Sequence, residues 1–336
     1  MFVKAFQQKT GENMKYRKLG KSEIIVSEIS LGCWTMGGLN WVNGVPNGWA
    51  NVDEKEISEA INYAIDHGVN HFDNADVYGN GRAERMLSRI LGKRTNNFVI
   101  ATKIGWFPGT AEHAYEPAHI RHQCEQSLIN LKRDYIDLYY FHHGDFGEND
   151  KYLDDAIEVM YKLRDEGKIR LIGQSAYKHE DFVKLIPKVK PDVIQSFASA
   201  LDDRFVQDNS PTRQLLDKYN ISFVAFGPLA QGLLLGKYHS GNPPQFEAGD
   251  HRANADRFKP ENLAKLEPKI EKLKNKFGPS NQELSRAALQ YLLFYKQVGV
   301  VIPGFRNLEQ VKSNLSGMDN PLTEEEFNFI KNLFAE

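Results

Sequence analysis

Four side chains able to move a proton onto an oxygen close successive hydrophobic runs of this sequence. Asp73 and Tyr78 lie in FDNADVYG, Lys103 ends FVIATK, and His142 ends YIDLYYFH. A tyrosine titrates near ~10 and is a poor acid or base at neutral pH. An ammonium within hydrogen-bond reach favours the phenolate and is expected to lower that pKa. An aspartate beyond the lysine would hold the ammonium in place and keep it charged. A histidine can donate a hydrogen bond to a carbonyl oxygen. Together the four would polarise a C=O and hand its oxygen a proton while a hydride reaches the carbon. Each has a plainer reading alone: a helix cap for the Asp, a core or rim ring for the Tyr, a solvated strand end for the Lys. Four on successive runs are harder to assign to structure.

Other chemistry is less well supported. His142 and His143 are adjacent on a strand and point to opposite faces, so they are poorly placed to share one ion. Asp145 is the nearest further ligand, and no metal is expected. His119 and His122, three apart on a helical pattern, read as a surface pair. Gly79-Asn80-Gly81 lacks the third glycine of a dinucleotide fingerprint, because Glu84 holds that place, and Gly20-Lys21-Ser22 lacks the upstream glycine of a phosphate loop. Trp34, Trp41, Trp49 and Trp106 fall in irregular segments, where they line a pocket or pack loops.

The elements that must position these residues alternate. Strand patterns cover 26–32, 69–75, 98–103, 135–141, 169–175, 192–197, 221–227 and 299–304. Helical patterns lie between them, over 53–67, 116–131, 150–166 and 281–295. Serial strand-then-helix units suggest a (β/α)8 TIM barrel, with an open doubly wound sheet as the rival. The barrel is favoured because the chemically loaded residues end many different strands. RKLGKSEIIVSEIS reads as a hairpin turning at Gly20–Lys21, placed to plug the barrel bottom. Segments 33–51 and 228–262 look too irregular for regular elements and are expected on the active-site rim.

The chain has 336 residues, a formal net charge of −2 and two cysteines, Cys33 and Cys124. The charge argues against a nucleic-acid partner, and the cysteine count suits a reducing compartment. No run approaches the ~20 apolar residues of a membrane span, and the first residues show no signal-peptide pattern. The expectation is a cytoplasmic protein with a polar extension at 1–13 and one domain over 14–336. Its oligomeric state is not legible.

The motifs resemble those of the aldo-keto reductases, from about Lys15 to the C-terminus. Phe72–Gly79 matches F-D-x-A-x-x-Y-G, Lys103 the strand-end lysine, Tyr135–His142 Y-I-D-L-Y-x-x-H, and Ile302-Pro303-Gly304 the late I-P-G. The resemblance implies that Tyr78 gives the proton, that Asp73 and Lys103 tune it, and that His142 orients a small carbonyl or alcohol substrate. It implies NADPH/NADP+ lying across the barrel mouth. The residues matching its cofactor contacts are Trp34, Asp73, Ser175, Gln195, Phe226, Gly227, Pro228, Leu229, Gln231, Leu233, Pro303, Gly304, Arg306, Gln310 and Asn314. Of these, Ser175 and Gln195 would hold the carboxamide and Phe226 would stack on the nicotinamide. Arg306 would take a 2′-phosphate, favouring NADPH over NADH. Trp34, Trp106 and His143 would line the substrate pocket.

Two departures stand out. Ala176 follows Ser175 where the family commonly has Asn, which removes a carboxamide partner. His143-Gly144 replaces an aromatic and a proline, which opens or polarises one pocket wall. The pattern looks closer to the bacterial general-stress and inositol-utilisation branch than to mammalian aldose reductases. A second reading is an NADPH-binding regulatory subunit resembling the β subunits of potassium channels. A third, a metal-dependent barrel hydrolase, is opposed by the missing ligand set.

Overall fold

The computed structural model describes residues 14–42, 45–253 and 255–335. The extension expected at 1–13 lies outside them. The chain opens with β1 (Tyr16–Lys18) and β2 (Ile25–Ser27), an antiparallel hairpin. Its turn uses Gly20 at φ +53°, where a Cβ would stand 2.6 Å from the carbonyl oxygen of Asp192, so only glycine fits. Leu19 and Val26 are buried among Ala101, Leu138, Val193, Val224 and Val300, inside the barrel. Arg17 donates to the carbonyls of Leu293 and Val298 at 2.8 and 2.7 Å and pairs with Glu28 at 2.6 Å. The hairpin therefore closes the end of the barrel where the strands begin.

Then follow β3 (Leu31–Gly32), β4 (Leu39–Val42), β5 (Val45–Gly48), α1 (Glu54–Asp66), β6 (His71–Asp73), α2 (Arg82–Leu91), β7 (Val99–Ile104) and α3 (Pro117–Leu131). Next come β8 (Ile136–Phe141), α4 (Leu153–Asp165), β9 (Ile169–Ser175), α5 (His179–Val189), β10 (Val193–Phe197), α6 (Pro211–Tyr219) and β11 (Ser222–Phe226). The chain ends with α7 (Pro260–Phe277), α8 (Asn281–Leu293), β12 (Val298–Ile302), α9 (Leu308–Leu315) and α10 (Glu324–Ala335).

Eight parallel strands pair in the order β3-β6-β7-β8-β9-β10-β11-β12. Bridges from Ile29 to Val301 and from Gly32 to Gly304 return β12 to β3 and close the ring. This is the expected (β/α)8 barrel. Strands such as β8 are buried throughout, because helices cover the outside and side chains fill the inside. At Gly173 a Cβ would lie 2.2 Å from the Tyr140 ring, so the absent side chain makes room for that ring in the interior.

The helices form where caps and apolar stripes coincide. Asp53 accepts from the backbone N–H groups of Lys55 and Glu56 at the start of α1, whose Ile57, Ala60, Ile61 and Ala64 are buried. Ser280 and Glu283 make a capping box at α8.

Two sequence expectations change. The run 26–32 is not one strand: 25–27 belongs to the plug and 31–32 to the barrel, with the chain turning at Glu28–Ser30. Segment 33–51 is not wholly irregular. A single 3-10 turn covers Cys33–Met36, and β4 and β5 pair antiparallel. Glycines at 37, 38 and 48 masked that ribbon. Segment 228–262 holds short 3-10 turns at Ala230–Leu235 and Asp256–Phe258 before α7 begins.

Candidate active site at the barrel mouth

Register brings the tetrad together. Asp73 ends β6 and pairs with Ala101 of β7. Lys103 stands two residues further along β7, on the same face, because side chains alternate along a strand. Lys103 Nζ donates to Asp73 Oδ2 at 2.6 Å, to the Asn74 carbonyl at 2.6 Å and to Tyr78 Oη at 3.4 Å. Lys103 and Asp73 are both buried. Tyr78 lies in the turn after β6, its ring 5.9 Å from that of His142 between centroids. His142 directly follows β8, where its N–H donates to the Ile104 carbonyl at 2.8 Å.

The electrostatics differ from the expectation at one point. Burial, then Asp73, push the Tyr78 phenol well above its usual range. Burial disfavours the phenolate, and the Asp73 carboxylate adds to it by like-charge repulsion. Tyr78 is therefore a neutral phenol that keeps its proton. His142 is pushed well below the usual imidazole range by burial and then by Lys103, so its ring is neutral. One of its ring nitrogens carries a hydrogen, and its buried Nδ1 meets no protein partner. The site offers a neutral acid beside a neutral hydrogen-bonding ring.

The residues matched to cofactor contacts ring the same mouth. Gln195, on β10, donates Nε2 to Asp73 Oδ1 at 2.8 Å, which leaves its carbonyl oxygen for a ligand. Ser175 ends β9, and its Oγ is buried without a partner. Phe226 ends β11, followed by Gly227, Pro228 and Leu229, with Gln231 and Leu233 in the next 3-10 turn. Gln231 Oε1 is also buried and unmatched. These orphaned acceptors fit an amide-bearing, polar cofactor.

Beyond β12, Pro303 and Gly304 lie beside Gly32. Arg306 follows, donating to the carbonyls of Ala50 and Asn51. Gln310 accepts from the Arg306 N–H at 2.8 Å and Asn314 donates to the Gly304 carbonyl at 3.3 Å. Both α9 side chains brace the turn that carries Arg306.

The residues matched to a substrate pocket are aromatic neighbours of Tyr78 and His142. Trp34 follows β3 and stacks on Tyr78 at 6.1 Å between centroids. Trp106 lies edge-on to His142 at 6.3 Å and against His143 at 4.5 Å. The His143 ring bonds the Gly105 carbonyl at 2.8 Å through Nε2 and accepts from the Asp145 N–H at 3.2 Å. Both of its ring nitrogens are thus engaged by backbone groups. Trp49 packs edge-on against Trp34 at 5.7 Å. Trp41 is exposed on β4, away from this cluster.

Several contributors escaped sequence reasoning. Tyr115 donates to the His143 carbonyl at 2.9 Å and accepts from its N–H at 3.0 Å. Gln174 donates to the same carbonyl at 3.1 Å. His251 covers Trp34 at 4.7 Å between centroids, reaching it from a loop far along the chain. Lys237, in the GLLLGKY segment, is exposed, and partial desolvation and then Arg252 lower its pKa. Its place just after the residues matched to cofactor contacts was the one signal available. Among the described residues, no three His, Cys, Asp or Glu side chains are gathered to hold a metal ion.

The barrel mouth thus gathers a buried Asp–Lys pair, a neutral Tyr and a neutral His. The aldo/keto reductase family model matches residues 28–334, and the chain belongs to that family. It is 30% identical to the uncharacterized oxidoreductase YqkF of Bacillus subtilis, over 95% of this chain and 96% of that one. It is 28% identical to a probable voltage-gated potassium channel subunit beta of Arabidopsis thaliana, covering 91% and 92% of the two. Among solved structures, the holo form of aldo-keto reductase AKR11C1 from Bacillus halodurans superimposes with a TM-score of 0.73 at 28% identity, covering 95% of this chain and 96% of that one.

Proposed function

We propose that this chain reduces an aldehyde or ketone to an alcohol with NADPH, reversibly, and that Tyr78 supplies the proton. The observation that carries the reading is the Asp73–Lys103–Tyr78 chain of contacts at the barrel mouth. Tyr78 keeps its proton until a carbonyl oxygen arrives. Lys103 then stabilises the phenolate left behind, and Asp73 keeps the ammonium in place. His142, neutral, donates to the same oxygen and fixes its direction. The buried walls exclude water from the developing charge.

Ser175, Gln195 and Phe226 would hold the nicotinamide end, which supplies a hydride from its C4 when bound. The Gln231–Leu233 turn and Lys237 would meet the pyrophosphate. Arg306 supports NADPH over NADH: among the described residues its side-chain bonds are to neutral carbonyls, so no direct ion pair consumes its charge. A phosphate would gain a bidentate partner there. The buried unpaired thiols of Cys33 and Cys124 fit a cytoplasmic enzyme.

The test is isotopic. With NADPH deuterated at C4, the alcohol product should carry deuterium on the former carbonyl carbon. Product without it would overturn hydride transfer.

The likeness to a channel β subunit favours a second reading, a cofactor-binding regulatory subunit with little turnover. Tight NADPH binding without reduction of any carbonyl would select it.

A further inference from the structure

The turn that carries Tyr78 is gripped by the β4–β5 ribbon, which is not part of the barrel sheet. Asn40 of β4 donates its Nδ2 to the Val77 carbonyl at 2.7 Å, across 37 residues of sequence. That carbonyl belongs to the peptide joining Val77 to Tyr78. The Asn40 side chain is buried, and its Oδ1 accepts the Trp41 N–H at 2.9 Å. A carbonyl can only accept and an N–H can only donate, so the two partners fix which end of the amide points where. The root of the ribbon meets the same turn backbone to backbone. A Cβ on Gly37 would stand 2.8 Å from the Tyr78 carbonyl carbon, and one on Gly79 would stand 2.0 Å from the Gly37 carbonyl oxygen. Arg82, at the start of α2, donates to that Gly37 oxygen at 2.8 Å.

Bonds inside the turn hold Tyr78 less tightly. Its N–H donates to the Ala75 carbonyl and its carbonyl accepts from the Ala83 N–H, each at 3.2 Å, and the Asn80 N–H reaches the Val77 carbonyl at 3.2 Å. All three lie at the long end of the N–H···O range. The Val77 carbonyl has two lone pairs, and the Asn40 bond is the shorter of the two it accepts. Rotating this peptide turns the Cα–Cβ bond of Tyr78, and the phenol oxygen swings at the far end of the side chain. Tyr78 Oη is already 3.4 Å from Lys103 Nζ, long for a hydrogen bond, so a small outward swing breaks the contact that steadies the phenolate. Misplacing a reacting group by about 1 Å can cost about 10²-fold in rate.

We propose that Asn40 is a positioning residue for the proton donor: its amide, delivered from the ribbon, sets the Val77–Tyr78 peptide and through it the reach of Tyr78 Oη to Lys103 and to a carbonyl oxygen. This rests on the reductase reading above.

The test uses two variants. Asn40→Leu fills the site without a donor, and Asn40→Asp keeps the shape and, assayed well above the carboxylate range, has no proton to give. In both, kcat/KM for reduction of para-nitrobenzaldehyde should fall about tenfold or more. NADPH binding, measured by fluorescence titration, should stay at its wild-type strength, because Asn40 bonds none of the residues matched to the cofactor. Circular dichroism checks the fold, and Asn40→Asp decides the matter if Asn40→Leu fails to fold. Wild-type kcat/KM in either folded variant, or a parallel loss of NADPH binding, overturns the assignment while leaving the reductase reading intact. Absence of wild-type turnover on any carbonyl overturns the reductase reading and this proposal with it.

Discussion

The Gln195 amide donates to Asp73 Oδ1 at 2.8 Å while Lys103 holds the other carboxylate oxygen at 2.6 Å. One buried carboxylate thus ties Gln195, a proposed cofactor contact, to the lysine beside Tyr78. Removing the amide orphans a charged acceptor and removes a proposed cofactor contact. Gln195→Ala is expected to cost about 1–3 kcal/mol in the binding of NADPH and to lower kcat as well. Fluorescence titration and steady-state kinetics check both; a loss in one alone would break the coupling.

Lys103→Met leaves Asp73 buried without its cation. Breaking such a pair costs about 3–5 kcal/mol. Turnover should fall to near background, and the denaturant midpoint should fall with it. Normal activity in a folded variant would remove Lys103 from the mechanism.

Arg306→Ala should weaken NADPH by about 1–3 kcal/mol, if a charge-assisted contact is lost, and NADH far less. Dissociation constants for the two cofactors give the answer. Equal weakening would show that the residue only braces the 50–51 backbone it already touches.

His71, buried inside β6 with neither ring nitrogen partnered, has its pKa lowered by burial to about 4. The unfolded histidine, near ~6.5, binds its proton first on acidification. Stability from this group is therefore full above the unfolded value and is lost as pH falls from about 6.5 toward 4, by up to about 1.4 kcal/mol per pH unit. Chemical denaturation across that range should show the slope, and His71→Leu should flatten it. An unchanged slope would mean that His71 titrates normally.

Much of this was legible beforehand, for identifiable reasons. Most of the barrel strands are runs rich in β-branched and aromatic residues and largely buried on both faces, and their ends carry Asp73, Lys103, Ser175 and Phe226 where the sequence places them. The plug hairpin was legible from its Gly20 turn. The β4–β5 ribbon was not, because glycines and prolines hide a pairing made by backbone alone. Tyr78's proton affinity was misjudged because spacing shows that a lysine is near and not how deeply the phenol is buried, and burial is the larger cause of its rise, with the Asp73 charge next. The sequence around His143 says nothing about Tyr115, Gln174 and Gly105, which hold it from elsewhere in the chain. His251 reaches Trp34 across more than 200 residues of sequence, and no local pattern reports that.

The central claim is that Tyr78 gives the proton. The direct measurement is NADPH consumption by purified wild type and Tyr78→Phe against a panel of aldehydes, ketones and open-chain sugars, with NADPH affinity measured alongside. The account predicts turnover in the wild type, a loss of about 10²–10⁴-fold in the variant, and nearly unchanged NADPH binding. Undiminished turnover in the variant, or equal loss of binding and turnover, would contradict it.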